Sequence, residues 1–218
     1  MNYKQLLILK LSHLTKWLNE TEMIIPEEMR KDFDWNETCE FLGDGKHILR
    51  RYWKNGQLYR KKEYQNGQPH GFSLGWWENG QRWYKTKYQN GQRHGLTSGW
   101  RDNGRLSWKI KYRNDHRHGL SLGWYENGQP SWKIEYRNDL KHGLDLGWWE
   151  NGQLNWKVEY QNGQGHGLDL GWWENGQPSW KTEYQNGQLH GLDLGWYEDG
   201  RPQWKKEWQN GNLIKRHL

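Results

Sequence analysis

The stretch HGLDLGWWENGQLNWKVEYQNGQG, residues 142–165, decides the fold because it recurs with few changes every 24 residues. Histidines mark the start of each unit, at His70, His94, His118, His142, His166 and His190. Tryptophans follow six residues later, at Trp76, Trp100, Trp124, Trp148, Trp172 and Trp196. A fixed period of roughly 20 to 50 residues is typical of repeat proteins, in which each unit packs on its neighbours. The sequence therefore predicts a repeat architecture.

Each unit contains two strand-like runs, residues 144–150 and 153–160, joined by Asn151-Gly152. A second Asn-Gly pair, Asn162-Gly163, follows the second run. Asn-Gly between aromatic and β-branched residues favours a two-residue hairpin turn, because both turn positions need a positive φ. We therefore expect each unit to be a β-hairpin and the chain to be a meander of hairpins.

A two-residue loop at Asn151-Gly152 fixes which residues pair across the hairpin. It sets Trp149 opposite Leu154, Gly147 opposite Trp156, Asp145 opposite Val158 and Gly143 opposite Tyr160. Directly paired residues share a face of the sheet. One face then carries large rings over glycines, and the other carries Leu144, Leu146 and Trp148 against Asn155, Lys157 and Glu159.

The connection between units has two possible lengths. A two-residue loop at Asn162-Gly163 would set Tyr160 beside Gly165, a position that is not glycine in the other units. A four-residue loop over residues 162–165 would set Tyr160 beside Gly167 and Trp156 beside Gly171. We expect the four-residue loop, because it gives every ring a glycine on both sides. The result is an unsheared stack whose equivalent side chains repeat about every 10 Å, two strand spacings.

The array is predicted to span residues 46–213 as seven units, with an N-terminal cap over residues 1–45 and a polar tail over 214–218. The cap is expected to be helical, since leucines lie at helical spacing and Pro26 can open a second short helix. The first unit is degenerate: Arg60 replaces the tryptophan of the second strand and there is no His-Gly opening. The predicted units are 46–69, 70–93, 94–117, 118–141, 142–165, 166–189 and 190–213.

Composition and charge narrow the class of protein. The chain has 218 residues with 19 Trp, 27 Gly and a single cysteine, Cys39, which excludes an internal disulfide and suits a reducing compartment. It contains no apolar run long enough for a transmembrane segment. Residues 46–117 carry 17 Lys/Arg against 4 Asp/Glu, whereas residues 118–218 carry 10 against 13. We predict an intracellular, cytoplasmic protein, with membrane association open, whose basic region meets an anionic partner.

The repeat GWWENGQLNWKVEYQNGQGHG resembles the variant MORN repeat: an aromatic pair, Asn-Gly-Gln, a strand ending in Tyr-x-Asn-Gly, then a basic or His-Gly step. The resemblance covers about residues 46–213. It implies an elongated, twisted antiparallel sheet of hairpins that mediates protein interaction or membrane-lipid association without catalysis. Such repeats occur in bacteria, including a set labelled antitoxins, and in large DNA viruses.

Two sets of residues are candidates for partner binding. One set is the six indoles on the leucine-bearing side, Trp76 and its equivalents, which are freer to bind a partner than the rings that lie over glycines. The other set is a basic strip near the column of lysines in the early units: Arg50, Arg51, Arg60, Lys61, Lys62, Arg82, Lys85, Lys87, Arg93, Arg101, Arg105, Lys109 and Lys111. The strip suits an anionic lipid headgroup, an acidic protein or a nucleic acid, or else it serves solubility and docks the acidic N-terminal segment. In later units lysine and glutamate alternate and can pair.

Catalysis and cofactors are not expected. Equivalent histidines should lie about 10 Å apart, too far for two of them to share one metal. The Asp145, Asp169 and Asp193 column has the same spacing, wider than the roughly 5 to 9.5 Å between glycosidase carboxylates. The predicted function is a non-catalytic scaffold for protein–protein or membrane-surface interaction. An antitoxin-like protein that neutralises a toxic partner is the alternative, and a single-stranded nucleic-acid or sugar binder is a distant one.

Overall fold

The computed structural model describes residues 23–24 and 36–217, which form one antiparallel sheet of seventeen strands in chain order. Extensive contacts join each strand to the strands before and after it. The all-β hairpin architecture predicted from the repeat is confirmed. The strands are β1 (Met23–Ile24), β2 (Asn36–Gly43), β3 (Lys46–Tyr52), β4 (Leu58–Gln65), β5 (Gln68–Trp76), β6 (Arg82–Gln89), β7 (Gln92–Trp100), β8 (Leu106–Arg113), β9 (His116–Trp124), β10 (Pro130–Arg137), β11 (Leu140–Trp148), β12 (Leu154–Gln161), β13 (Gln164–Trp172), β14 (Pro178–Gln185), β15 (Gln188–Trp196), β16 (Pro202–Gln209) and β17 (Asn212–Arg216).

Both ends of the sheet extend beyond the predicted array. β2 lies within residues 1–45, where a helical cap was expected, and pairs with β3 through a turn at Asp44-Gly45. That part of the cap prediction is wrong; its helical segments lie outside the described residues. At the other end, the predicted polar tail supplies most of β17, which pairs with β16. The tail therefore adds an exposed edge strand.

The pairing within the hairpin is confirmed for its central residues. Gly147 pairs with Trp156, Asp145 with Val158 and Gly143 with Tyr160. Nearer the turn the register shifts, and Trp148 rather than Trp149 lies opposite Leu154.

The first turn is not the predicted two-residue type. The N–H of Trp149 donates to the carbonyl of Gln153 at 2.8 Å, and that of Gly152 donates to the carbonyl of Trp149 at 2.9 Å. Of the Asn-Gly pair, only Gly152 has a positive φ, +88°. Asn151 instead accepts the N–H of Gln153 on its side-chain oxygen at 2.9 Å, which stabilises a wider turn.

The second connection is a two-residue turn, so the predicted four-residue loop is wrong. Asn162 and Gly163 both have positive φ, 51° and 84°, and Tyr160 pairs with Gly165. A bulge follows, because between this pair and the pair Val158–Asp169 one strand has one residue and the other has three. Gly167 lies in this bulge with φ +85°, a conformation that favours glycine. The bulge restores the predicted pairing of Trp156 with Gly171, and the stack is unsheared.

The two sides of the sheet differ as predicted. We call the side that carries Asp145, Trp156, Val158 and Tyr160 the ring face, and the side that carries the leucines and the Lys–Glu rows the leucine face. A methyl group built on Gly147 would lie 2.3 Å from the Trp156 ring, so the indole is seated directly on bare backbone. The same seat recurs at Gly75 under Tyr84, Gly99 under Trp108, Gly123 under Trp132, Gly171 under Trp180 and Gly195 under Trp204. Tyr160 makes no such contact with Gly167, whose bulge is covered by the carboxylate of Glu159.

Side chains in the first turns join each unit to the next. The residue that opens the turn donates to the backbone carbonyl 23 residues later: Trp149 Nε1 to Trp172 at 3.1 Å, and Tyr125 Oη to Trp148 at 2.7 Å. Arg101 makes the same bond to Trp124 at 3.0 Å. Three chemically different donors therefore perform one structural task.

The turn asparagine makes a second bond between units. The side-chain amide of Asn151 donates to the carbonyl of Glu174 at 3.0 Å, and equivalent bonds to turn carbonyls begin at Asn79, Asn127 and Asn175. In the unit 190–213 this position is Asp199, which has no side-chain amide to donate.

Candidate functional site

A groove of about 550 Å³ crosses β8 to β12 on the ring face. Small or branched residues of the central column form its floor, and rings and cations form its two sides. The lining residues are Ile110, Arg117, Ser121, Trp132, Ile134, Tyr136, Lys141, Asp145, Trp156, Val158 and Tyr160. The groove is within the size range of roughly 300 to 1,000 Å³ that is usual for ligand sites.

Asp145 organises one end of the groove. Its side chain is buried, and it accepts hydrogen bonds from Trp156 Nε1 at 3.0 Å and from Lys141 Nζ at 2.6 Å. Burial alone would lower the pKa of Lys141, but the hydrogen bond and charge of Asp145 raise it above the ordinary value. The three side chains therefore hold a fixed positive group beside a fixed indole.

Cations also lie against the tyrosines at the other side of the groove. The guanidinium of Arg117 is 4.2 Å from the centre of the Tyr136 ring, and Lys141 Nζ is 4.9 Å from the centre of the Tyr160 ring. Beyond the groove lining, the guanidinium of Arg93 is 4.1 Å from the centre of the Tyr112 ring. Such geometry is favourable for a cation over an aromatic ring. The result is a row of positive groups held above rings.

Acidic turn residues orient two of these arginines. Asp139, in the turn after Tyr136, accepts the backbone N–H of Arg117 at 2.9 Å and its Nε at 3.1 Å. The backbone bond from Arg117, helped by His116, lowers the pKa of Asp139 to about 2. Asp115 binds Arg93 in the same way. Nη2 of each arginine also donates to the backbone carbonyl of the same aspartate, at 3.2 Å for Arg93 and 3.4 Å for Arg117. Both guanidinium groups are therefore held in a fixed orientation.

The predicted basic strip is divided between several surfaces. Strand pairing places Arg51, Arg60, Lys62 and Arg93 on the ring face, and Arg50, Lys61, Lys85, Lys87, Lys109 and Lys111 on the leucine face. Arg101 and Arg105 lie in a turn and bind carbonyls of the next unit, while Arg82 lies 5.5 Å from the Trp76 ring. Carboxylates neutralise Arg50, Arg51, Lys61 and Arg93. The thirteen residues do not form one continuous uncompensated strip.

The predicted aromatic candidates are half-buried on the leucine face: Trp76, Trp100, Trp124, Trp148, Trp172 and Trp196. Exposed leucines accompany them, with Leu96 53%, Leu120 44% and Leu144 37% accessible. The expected Lys–Glu pairing occurs on this face at Lys157–Glu159 and Lys181–Glu183, each with an N–O distance of 3.7 Å. The leucine face therefore combines apolar side chains with charge rows that are basic only in the early units.

The histidines take part in the second turns. His142 Nδ1 lies 3.4 Å from the backbone nitrogen of Asn162, and in other units the histidine meets the asparagine side chain. Within residues 23–24 and 36–217 there is no cluster of three or more His, Cys, Asp or Glu placed to hold a metal. The same residues include no helix that is long and apolar enough to span a membrane.

Sequence reasoning missed Arg117 and Lys141 as groove residues. Both occupy the variable position just after the second turn, which is Pro69, Gly165 or Leu189 in other units. That variability was the available signal, because a position free of a fixed structural task can differ between repeats. Sequence reasoning also missed that buried Asp145 joins the two sides of the groove.

No protein-family model matches the sequence, and no curated protein matches it. The function therefore has to be argued from the surfaces themselves.

Proposed function

We propose that this chain is a non-catalytic, intracellular scaffold of the MORN-repeat type that binds an extended segment of a protein partner on its ring face. The observation that carries the proposal is the groove over β8–β12, where fixed cations and fixed indoles converge. Aromatic residues and arginine are the side chains that contribute most to protein interfaces. Because contacts between units hold these side chains in place, little conformational entropy is lost on binding.

The groove favours a polypeptide over a small molecule. It is open along the stack, and the same rings and column continue into neighbouring units. A chain lying across the strands would meet an equivalent ring about every 10 Å, two strand spacings. Weak contacts that repeat along one rigid surface add up through effective concentration.

The test is affinity capture by the tagged full chain, with matched variants on the two faces. Arg117→Ala removes a ring-face cation, and Lys133→Ala removes a leucine-face cation from a neighbouring strand. We expect a partner, identified by mass spectrometry and confirmed with purified protein, to be lost with Arg117→Ala and kept with Lys133→Ala. Both variants should retain the wild-type circular dichroism spectrum. Equal recovery with both variants would remove the ring face from the proposal.

The same capture tests the antitoxin-like alternative. A partner that is toxic when expressed alone, and harmless when co-expressed with this chain, would support the antitoxin-like function. A partner without toxicity would support the general scaffold.

A second candidate is membrane-surface association through the leucine face. Exposed Leu96 lies directly opposite Lys111, and Lys87 approaches the adjacent Gly95. This combination of apolar and basic side chains suits an anionic lipid surface, and exposed Leu120 and Leu144 continue the same face. Flotation with anionic vesicles at low and raised salt is the test. Lys87→Gln with Lys111→Gln should abolish flotation, and Arg117→Ala should not.

A further inference from the structure

The first unit breaks the ring-on-glycine rule at one place. Gly147 and Trp156 pair in the fifth unit, and the residues that stand in their positions in the first unit are Arg51 and Arg60. These two arginines lie directly opposite each other on β3 and β4, on the ring face. Like charges in direct cross-strand pairs are destabilising. Departures from an otherwise consistent repeat pattern are expected at functional sites.

A third cation completes the cluster. Lys62, two residues after Arg60, lies on the same face, and its Nζ is 5.2 Å from the centres of both the Tyr64 and Tyr88 rings. Burial, together with the charges of Arg60 and Arg51, lowers the pKa of Lys62. The ammonium group is therefore recessed between two rings rather than extended into solvent.

The donors of this cluster are largely unused. Within the described part of the chain, Arg60 Nε is buried without a hydrogen-bond partner, and the Arg60 guanidinium makes no ion pair with a carboxylate. The guanidinium carbon of Arg60 lies 5.9 Å from the centre of the Tyr84 ring. Arg51 is paired with Glu37. Among the described residues, three cations and one carboxylate leave a local charge of +2, and the buried Nε of Arg60 is a donor that a bound anion would satisfy.

We infer that Arg51, Arg60 and Lys62 bind a phosphoryl group on a phosphorylated side chain of the protein partner. A phosphoryl group carries about −1.5 to −2 charge and three acceptor oxygens, which match the local charge of the cluster. Two guanidinium groups supply the forked donors that recognise such oxygens, and Lys62 supplies a point charge. A recessed site between tyrosines suits a single projecting group, whereas a membrane would meet the flat lysine rows of the leucine face. This inference rests on the proposed scaffold function and adds a chemical class to its partner.

To test this inference, the full chain is titrated with three probes. Binding is measured by intrinsic tyrosine and tryptophan fluorescence or by the heat released on binding. The probes are inorganic phosphate, a phosphoserine peptide with its unphosphorylated twin, and anionic lipid vesicles. We expect the phosphopeptide to bind at least tenfold more tightly than its twin. Its affinity should fall as the pH drops through about 6, where the phosphoryl group takes up a proton.

Two variants separate binding from folding. Arg60→Gln should weaken phosphopeptide binding at least tenfold. The double change Arg51→Gly with Arg60→Trp restores the glycine–tryptophan couple, so binding should vanish while the melting temperature stays equal or rises. Lys85→Gln, on the leucine face, is the matched control and should bind normally.

Three results would overturn the inference: equal affinity for both peptides, binding to vesicles alone, or undiminished phosphate binding in the double variant. If the double variant does not fold, the single variants Arg60→Gln and Lys62→Gln are used instead, after each is checked for a wild-type melting temperature. Undiminished phosphopeptide binding in both would overturn the inference. Partner capture that depends on Arg117 but not on Arg60 would leave the scaffold function standing and remove only the phosphoryl site.

Discussion

The hydroxyl of Tyr125 donates to the backbone carbonyl of Trp148 in the next unit at 2.7 Å. The hydroxyl of Tyr197, the equivalent residue of the unit 190–213, makes no such hydrogen bond among the described residues. The two tyrosines thus occupy the same place in the repeat with different structural duties. Comparison of the two measures what one bond between units contributes to stability.

Tyr125→Phe should destabilise the protein by about 1 kcal/mol, because it removes one hydrogen bond and leaves a half-buried carbonyl with fewer partners. Tyr197→Phe should leave the unfolding midpoint unchanged. Urea denaturation followed by tryptophan fluorescence measures both. Equal effects of the two changes would show that the bond between units contributes nothing.

Gly147→Ala should destabilise the protein by about 1 to 3 kcal/mol, since the added methyl group would lie 2.3 Å from the Trp156 ring and force it off its seat. Gly165→Ala is the control. There the methyl group would meet Tyr184 at 3.4 Å, an ordinary contact, and other units already carry larger residues at that position. Thermal denaturation of both variants is the measurement, and a stable Gly147→Ala variant would contradict the seating of ring on glycine.

Asp169→Asn should stabilise the protein near neutral pH. Burial raises the pKa of Asp169 above the ordinary 3.8, and the unit has Gly165 where the preceding one has Lys141. A raised folded-state pKa means that the folded state binds the proton more tightly. The Asp169 carboxyl group therefore stabilises the folded state below pH 3.8, where it is protonated. This stabilisation is lost as the pH rises through its raised folded-state pKa. The advantage of the variant should grow between about pH 4 and neutrality.

Asp145→Asn should have the opposite sign. This carboxylate accepts hydrogen bonds from both Lys141 and Trp156, so its neutralisation leaves a half-buried ammonium group without its counter-ion. We expect a loss of about 1 kcal/mol at neutral pH. Urea titrations of the two asparagine variants at several pH values give the comparison, and identical shifts would show that the neighbouring lysine is irrelevant.

Cys39 should react slowly with thiol reagents in the folded protein. It is buried, and burial together with the charge of Glu37 raises its pKa to about 11, so little thiolate is present at neutral pH. Reaction with a disulfide reagent should become fast only in denaturant. Rapid, complete modification in native buffer would mean that the β2 edge opens readily.

The fold could be predicted from the sequence because the ring-bearing residues and the glycines repeat at one spacing. The pairing of Gly147 with Trp156, and of Trp156 with Gly171, could be derived by counting residues between two turn signals. The separation into a ring face and a leucine face followed from the same count, since alternate residues of a strand point to opposite sides.

Counting could not distinguish the two ways of connecting units. A four-residue loop, and a two-residue turn followed by a bulge with two extra residues, use the same number of residues and give the same central register. The positive φ of Gly167 decides between them, and a single sequence does not reveal that angle. The first turn was mistaken for a related reason: Asn151 binds Gln153 and the next unit, whereas the local pattern Asn-Gly indicated only a tight turn.

The candidate sites were harder to predict than the fold. The alternation of faces was enough to divide the basic strip. The ion pairs could not be predicted in this way, because Glu37 reaches Arg51 from the preceding strand and Asp115 reaches Arg93 from a turn of the next hairpin. The replacement of a ring by Arg60 was visible in the sequence. That it faces Arg51 across the sheet required the first unit to be aligned with the rest, strand by strand.

The hydrogen bonds that run from each first turn to the next unit give the array a direction, because each unit from 46–69 to 166–189 donates to the unit that follows it. If one more 24-residue copy were inserted before residue 190, its backbone carbonyl would accept the hydrogen bond from the preceding unit, and its first-turn side chain would donate to the following unit. The array could thus be lengthened by duplication of whole 24-residue units, whereas an insertion of any other length would not match the spacing of these donors and acceptors.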